Sequence, residues 1–334
     1  MGVRTARPPL RLTLAARHPA LSFLARRIGA ALLLLLVVSI LIFAGTQLLP
    51  GDVANAVLGR NATPEALTSL RHQLQLDQPA SERYVDWLTG VLHGDLGESV
   101  SAHTAIWPFI RPRLANTAIL ALCTVLLMVP LALALGVLAA TRAGRPLDHF
   151  VSVVSLAMIS IPEFVTGTML ALVFATTLGA LPALSLIGPG ETALDNPEIL
   201  ILPIATLLAA SLAQTTRMVR AGMIESLRSE YVAMARLNGF DERRVVTRYA
   251  LRNALAPTVQ VIALNIQWLV GGIVVTETVF GYPGIGHTLV DAVSTRDIPL
   301  VQSIALIIAA FYFAVNIVAD LLVVFLIPKL RTAQ

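Results

Sequence analysis

From Ile28 to Leu49 the chain carries no charged side chain. A helix that crosses a bilayer needs about 20 consecutive apolar residues, so this run is long enough to span. The competing reading, a cleaved secretory signal, calls for an apolar stretch of only about 7 to 15 residues. The longer run predicts an uncleaved first span over 28–49, preceded by a segment 1–27 that holds six Arg and no acid. Composition points the same way. The chain is 56% apolar and 13% charged, against about 25% charged in a soluble domain. Too few polar side chains remain to coat a water-facing surface, and the length suits one membrane domain.

Five further apolar stretches follow a polar segment, 50–113, which is expected to form short amphipathic helices outside the membrane. There, Thr63-Pro64-Glu65 reads as an N-cap with Pro in the first turn, followed by Leu67, Leu70 and Leu74 on one face. Tyr84, Leu88 and Val91 repeat that face. The second span is expected at about 114–141, with Ala132, Gly136 and Ala140 four apart, the spacing that lets helices approach closely in lipid. A basic turn, 142–148, leads to a third stretch, 149–181, too long for one straight crossing. Ile161-Pro162-Glu163 lies inside it and predicts a kinked or broken helix, because proline lacks the N–H a helix interior needs. Spans four, five and six are expected at about 199–219, 255–279 and 299–327. The whole reads as an all-α integral membrane protein of six transmembrane helices, with 114–328 as a five-helix core and 329–334 as a tail.

The basic residues fix an orientation. Segment 1–27, the 142–148 turn, residues 217–252 and the C-terminus hold 18 of the 24, while Arg60, Arg71, Arg83, Arg111, Arg113 and Arg296 occupy the alternate gaps. Cytoplasmic loops carry the excess of Lys and Arg, which predicts a multi-pass membrane protein with both termini in the cytoplasm.

The longest cytoplasmic segment is 220–253. Leu227, Tyr231 and Met234 predict one helix over 225–238 with an apolar stripe, and Arg228 and Arg236 on the other face. Gly239 predicts its end. Asp241 is a candidate N-cap for a second helix carrying Val245, Tyr249 and Arg252, with Pro257 where the fifth span begins. Pattern alone leaves two readings open: an ordinary basic loop that fixes topology, or a lever moved by another subunit.

The residues Tyr231-Val232-Ala233-Met234-Ala235-Arg236-Leu237-Asn238-Gly239, continuing to Arg248–Pro257, resemble the cytoplasmic signature loop of ABC-importer permeases, most closely the dipeptide/oligopeptide/nickel branch. Further segments resemble the same branch in the same order: Leu48–Asp52, Leu76–Pro79, Gly94–Ser99, Ser160–Phe164, Glu277–Gly286 and Arg296–Pro299. The resemblance covers nearly everything after residue 22, and the long first external segment marks the B-type permease. It implies a type I importer permease fold and a heterodimer with a second, homologous permease. It also implies two ATPase subunits that hold ATP and Mg, an extracytoplasmic solute-binding protein, and a passage for di- and oligopeptides, nickel chelates, opines or glutathione-like solutes. In such proteins the helix around 233–239 docks in a cleft of the ATPase. The implied docking residues are Glu230, Tyr231, Ala233, Met234, Ala235, Arg236, Gly239 and Asp241, with the two alanines small because the surfaces approach closely. The general signature has Glu where this sequence has Ala233, so an acidic contact there is not implied. Pro162, Glu163 and Pro257 are candidates for helix breaks or gating. Glu277, Phe280, Gly281, Pro283, Gly284, Gly286, Arg296 and Asp297 form the extracytoplasmic motif.

Other chemistries lack their residues. A phosphate-binding loop needs Lys followed by Ser or Thr, and the single Lys, Lys329, precedes Leu330; the chain is expected not to hydrolyse ATP. The six His have no ligand spacing, and Cys123 sits alone in an apolar run, so no cofactor or metal is expected on this chain. Clustered Arg is read as topology, not nucleic-acid binding. Asn61-Ala62-Thr63 matches a glycosylation acceptor with nothing else to support one. An ion-driven transporter would need acid–base pairs at mid-membrane, and an intramembrane protease a nucleophile with its base; neither is evident. Of the acids in spans, Glu163 is expected to satisfy backbone donors freed by Pro162, and Asn316 and Asp320 to reach a neighbouring helix.

Overall fold

The computed structural model describes residues 19–48, 63–65, 67–68, 77–188 and 190–326, with side chains from residue 24 to 321 except 255–261 and 270. Most of segment 1–27, the Leu49–Asp52 part of the first motif, Leu70, Leu74, Leu76, Asn61, Lys329 and the tail lie outside the described residues. The helices are α1 (Pro19–Gln47), α2 (Ala80–Leu92), α3 (Ile106–Thr141), α4 (Pro146–Ser160), α5 (Glu163–Leu170, continuing as π-helix through Thr177), α6 (Glu198–Leu227), α7 (Glu230–Leu237), α8 (Leu251–Phe280), α9 (Ile285–Ser294) and α10 (Ile298–Leu326). A two-stranded antiparallel ladder, β1 (Glu98–Ser99) with β2 (Thr104–Ala105), precedes α3.

Among the described residues α1, α3, α6 and α10 are each long and apolar enough to cross a membrane, and two bent pairs bring the number to six. One pair is α4 with α5, bent by 102°; the other is α8, bent by 41° between Leu269 and Gly271. The Pro162 signal is therefore a full break. The residue before proline is pushed into extended backbone; Ile161 has φ −88°, ψ 125°, and Pro162 becomes the N-cap of α5.

α6 is the axis of the bundle. α3, α4, α5 and α8 pack on it, while α10 packs on α8 and α1 on α10. The α3–α6 seam has the small-residue basis expected: Ala132, Gly136 and Ala140 are all buried. A Cβ on Gly136 would sit 2.6 Å from the Val219 Cβ and 3.0 Å from the Thr216 carbonyl oxygen. Tyr84 of α2 meets Phe43 of α1 edge to face, Trp87 lies tilted beside the same ring, and Tyr84 Oη meets Ser39 Oγ at 2.8 Å. α2 thus turns the expected face, that of Tyr84, to the first helix.

The helix ends differ from expectation where polar residues continue a helix past the apolar run. α3 begins at Ile106, not Leu114, and α6 runs on to Leu227, not Val219. α8 is reached without a gap from Glu242 through a π-helical stretch, Val245–Ala250, so Pro257 lies inside a helix and does not start one. Asn316 and Asp320 reach neighbouring helices, as expected. Gln267 Nε2 donates to Asn316 Oδ1 at 2.5 Å, and Arg27 Nε lies 3.2 Å from Asp320 Oδ2.

Candidate functional site

At one end of the bundle α6 stops and α7 projects. The stop is built by hydroxyls: Ser229 Oγ donates to the Ser226 carbonyl at 2.5 Å, and Ser226 Oγ to the Ala250 carbonyl at 2.9 Å. The expected single helix over 225–238 is therefore two, with Ser229 as N-cap of the second. Glu230 in the first turn and Arg236 in the last complement the helix dipole. Val232 and Ala235 are buried with Val219, Met223, Val245 and Ala250 in one core cluster. Tyr231, Ala233, Met234 and Leu237 are exposed. The apolar stripe expected at Tyr231 and Met234 is thus the outward face, and Ala235 is small because α7 lies close on its own bundle. Three and four residues separate both sets, so periodicity by itself fits either face.

Gly239 ends α7 as expected, with φ +77°, a conformation glycine adopts at little cost. The Phe240 N–H bonds to the Ala235 carbonyl at 3.2 Å and the Gly239 N–H to that of Arg236 at 3.0 Å, the Schellman arrangement. Across the turn Arg236 donates twice to Glu242, Nη2 to Oε1 at 2.7 Å and Nε to Oε2 at 3.0 Å. This pairing lowers the Glu242 carboxyl pKa below its ordinary value, chiefly by the hydrogen bond. Asp241 has the backbone of an N-cap, though its side chain caps nothing.

Between the ends lies the α4–α5 break. Glu163 accepts from Thr276 Oγ1 at 2.8 Å, not from backbone donors freed by Pro162. Its carboxylate lies against the bare Cα of Gly272, where a Cβ would collide with it. Pro257 is not brought near this break: it sits in the lead-in of α8, and its side chain lies outside the described ones.

At the other end the expected motif closes into a knot. Glu277, fully buried, accepts from Thr117 Oγ1 at 2.5 Å and from the backbone N–H groups of Gly286 at 2.8 Å and His287 at 3.0 Å. A carboxylate thus caps the N-terminus of α9, where unpaired N–H groups favour negative charge. Gly284 must be glycine, since a Cβ there would strike the Glu277 carboxylate. Gly286 is held close as well, its Cβ position 2.7 Å from the Val274 Cα. Gly281 ends α8 at φ +59°, and Phe280 beside it is fully buried. Pro283 offers its carbonyl to Asn116 Nδ2 at 3.0 Å. Arg296, at φ +57°, turns the chain into Asp297. Buried Asp297 accepts from Ser99 Oγ at 2.5 Å, Ser101 Oγ at 2.8 Å and Ser101 N–H at 3.0 Å, and from the Leu300 N–H at 3.2 Å. The motif residues therefore converge on Ser99, the last residue of the Gly94–Ser99 segment, and on Thr117, Asn116 and Ser101, which no pattern in the sequence singles out. Asp148 and Arg220 were passed over too; a lone acid in a basic turn was their only signal.

The chain matches the family described as "binding-protein-dependent transport system inner membrane component" over residues 132–332, and the N-terminal region of such components over residues 20–121. It is 37% identical over 332 residues to the di/tripeptide transport system permease protein DppB of Pseudomonas aeruginosa, which covers 93% of this chain and 99% of that protein. It is 33% identical over 335 residues to the dipeptide transport system permease protein DppB of Escherichia coli K12, with the same coverage. It is 32% identical over 311 residues to the glutathione transport system permease protein GsiC of Salmonella typhimurium, again covering 93% and 99%. With its helical bundle and long apolar spans, the chain belongs to the family of binding-protein-dependent transport system inner membrane components, and is a multi-pass permease subunit of an ABC importer with the type I fold.

Proposed function

We propose that this permease, paired with a second homologous permease, forms the passage for di- and oligopeptides, and that two separate ATPase subunits drive it by gripping α7. The observation that carries the reading is the division of α7: Val232 and Ala235 rooted in the core, Tyr231, Ala233, Met234 and Leu237 presented outward. A helix anchored on one face and apolar on the other suits a groove on a partner. The root continues into Val245 and Ala250 at the start of α8, so a push on α7 is felt by a span. ATP and Mg reside on the ATPases. Both termini and α7 face the cytoplasm, and the Glu277–Asp297 knot faces the outside, where a solute-binding protein delivers the cargo. Peptides are favoured as cargo because two of the relatives above are named as dipeptide or di/tripeptide permeases; the glutathione permease keeps a modified peptide as the second reading.

The test uses the single cysteine. With Cys123→Ala as background, Met234→Cys is expected to cross-link to the ATPase in the assembled complex, and Val293→Cys in α9 is expected not to. The reverse result, or labelling of Met234→Cys by an impermeant thiol reagent from outside the cell, would overturn the docking and the topology together.

A further inference from the structure

Glu163, Gln214, Asn265 and Trp268 meet in one cleft formed by the start of α5 and the middles of α6 and α8, with Ser211 and Gly272 beside them. Gln214 is exposed, Trp268 is 72% exposed and Glu163 is half-buried. Gln214 and Trp268 each stand near the midpoint of a 30-residue helix, and Glu163 sits at the break of the α4–α5 span. These groups therefore lie near the bilayer centre. A charged or polar side chain at that depth faces a bundle interior or a watered cavity and not lipid. The cleft is a wall of that interior or cavity.

The charge on that wall has no answer within this chain's spans. No Arg or Lys occurs in residues 114–141, 146–181, 199–216, 253–280 or 298–326. Glu163 has a hydroxyl partner, Thr276, and among the described residues no ion-pair partner. An acid at this depth is retained at a cost, and the bare Cα of Gly272 gives its carboxylate room. Trp268 adds an open aromatic surface beside it, which attracts cations through its ring face.

We propose that Glu163 is a cation-recognition point of the passage, its carboxylate receiving the side-chain ammonium of a lysyl peptide in transit. This rests on the peptide reading of the preceding section. The test is peptide uptake by the complete transporter in proteoliposomes, comparing Ala-Lys with Ala-Glu. Glu163→Gln keeps an acceptor for Thr276 and removes only the charge. Dividing the Ala-Lys to Ala-Glu uptake ratio of the variant by that of the unaltered protein cancels the selectivity of the binding protein. The expected quotient is about one-tenth, the size of a lost charge-assisted hydrogen bond. Gln214→Glu, which adds a second carboxylate to the cleft, is expected to raise the quotient above one. An unchanged quotient in both variants overturns the proposal, whether the two rates persist or fall together; falling together would mark Glu163 as structural or paired with the second permease. Failure of the unaltered complex to take up either peptide would instead overturn the peptide reading.

Discussion

The guanidinium of Arg220 on α6 grips both carboxylate oxygens of Asp148 at the start of α4, its Nη2 donating to Oδ2 at 2.8 Å and its Nε to Oδ1. The Asp148 side chain is 3% exposed and that of Arg220 30%. Oδ2 also receives the Gly144 N–H at 2.9 Å, which closes the basic turn. Removing one partner leaves a nearly buried charge unpaired, a change that costs about 3–5 kcal/mol for fully buried pairs. Because Arg220 is part-exposed, Asp148→Ala is expected to cost about 2 kcal/mol, read as a lower unfolding midpoint in detergent. Arg220→Lys, which cannot hold both oxygens, is expected to recover only part of it.

Gly136 tests the α3–α6 seam. Gly136→Val places methyls where Val219 and the Thr216 carbonyl already stand. Overpacking of this kind costs about 1–3 kcal/mol. The expected outcome is a lowered thermal midpoint, partly restored when Val219→Ala is added. No restoration would mean that Val219 is not the group that Gly136 has to clear.

Gly284 and Glu277 form a second steric pair, but one with charge at its centre. Gly284→Ala is expected to displace the Glu277 carboxylate from the α9 amides and to abolish assembly of the transporter, scored by co-purification of the second permease. Adding Glu277→Ala to it removes the clash and is expected to restore some assembly. Glu277→Gln alone keeps one acceptor oxygen and loses the charge, at about 1.5–3 kcal/mol.

At the turn that ends α7, Gly239→Ala is expected to be more harmful than any surface change nearby. It forces a Cβ into the left-handed region at φ +77°, at about 1–2 kcal/mol, and the expected readout is peptide-stimulated ATPase activity that falls while basal hydrolysis by the ATPases persists.

The Arg236–Glu242 bridge sets a pH dependence for the same turn. The Glu242 pKa is lower in the folded protein than in the unfolded chain. Its contribution is therefore present above the unfolded carboxyl pKa and lost as pH falls through the folded one. Both side chains are exposed, 43% and 60%, so the contribution is below about 1 kcal/mol and screened by salt. Hydrogen-exchange protection across 236–245, each rate taken relative to its intrinsic value at the same pH, is expected to fall at acid pH in the unaltered protein and to show no such added step in Glu242→Gln. Identical pH profiles would remove the bridge from the account.

Several elements were legible because their causes are local. Pro162 broke its span because a proline ring fixes its own φ and restrains its neighbour. Gly239 ended α7 because only a residue without a Cβ sits comfortably at positive φ. The Ala132-Gly136-Ala140 spacing located a helix seam before its partner, Val219, could be named. The faces of α7 were not legible. Tyr231 and Met234 share one side and Val232 and Ala235 another, and both sets are apolar.

By itself the sequence determined where the apolar stretches lie, the break at Pro162 and the end of α7 at Gly239, since hydropathy, proline and glycine act within a few residues of the chain. Tertiary structure alone decided which polar groups meet: Asp297 with Ser99 across 198 positions, Glu277 with Thr117 across 160, Arg220 with Asp148 across 72. A hydrogen bond depends on separations of about 3 Å in space, and in a membrane bundle helix packing sets those separations.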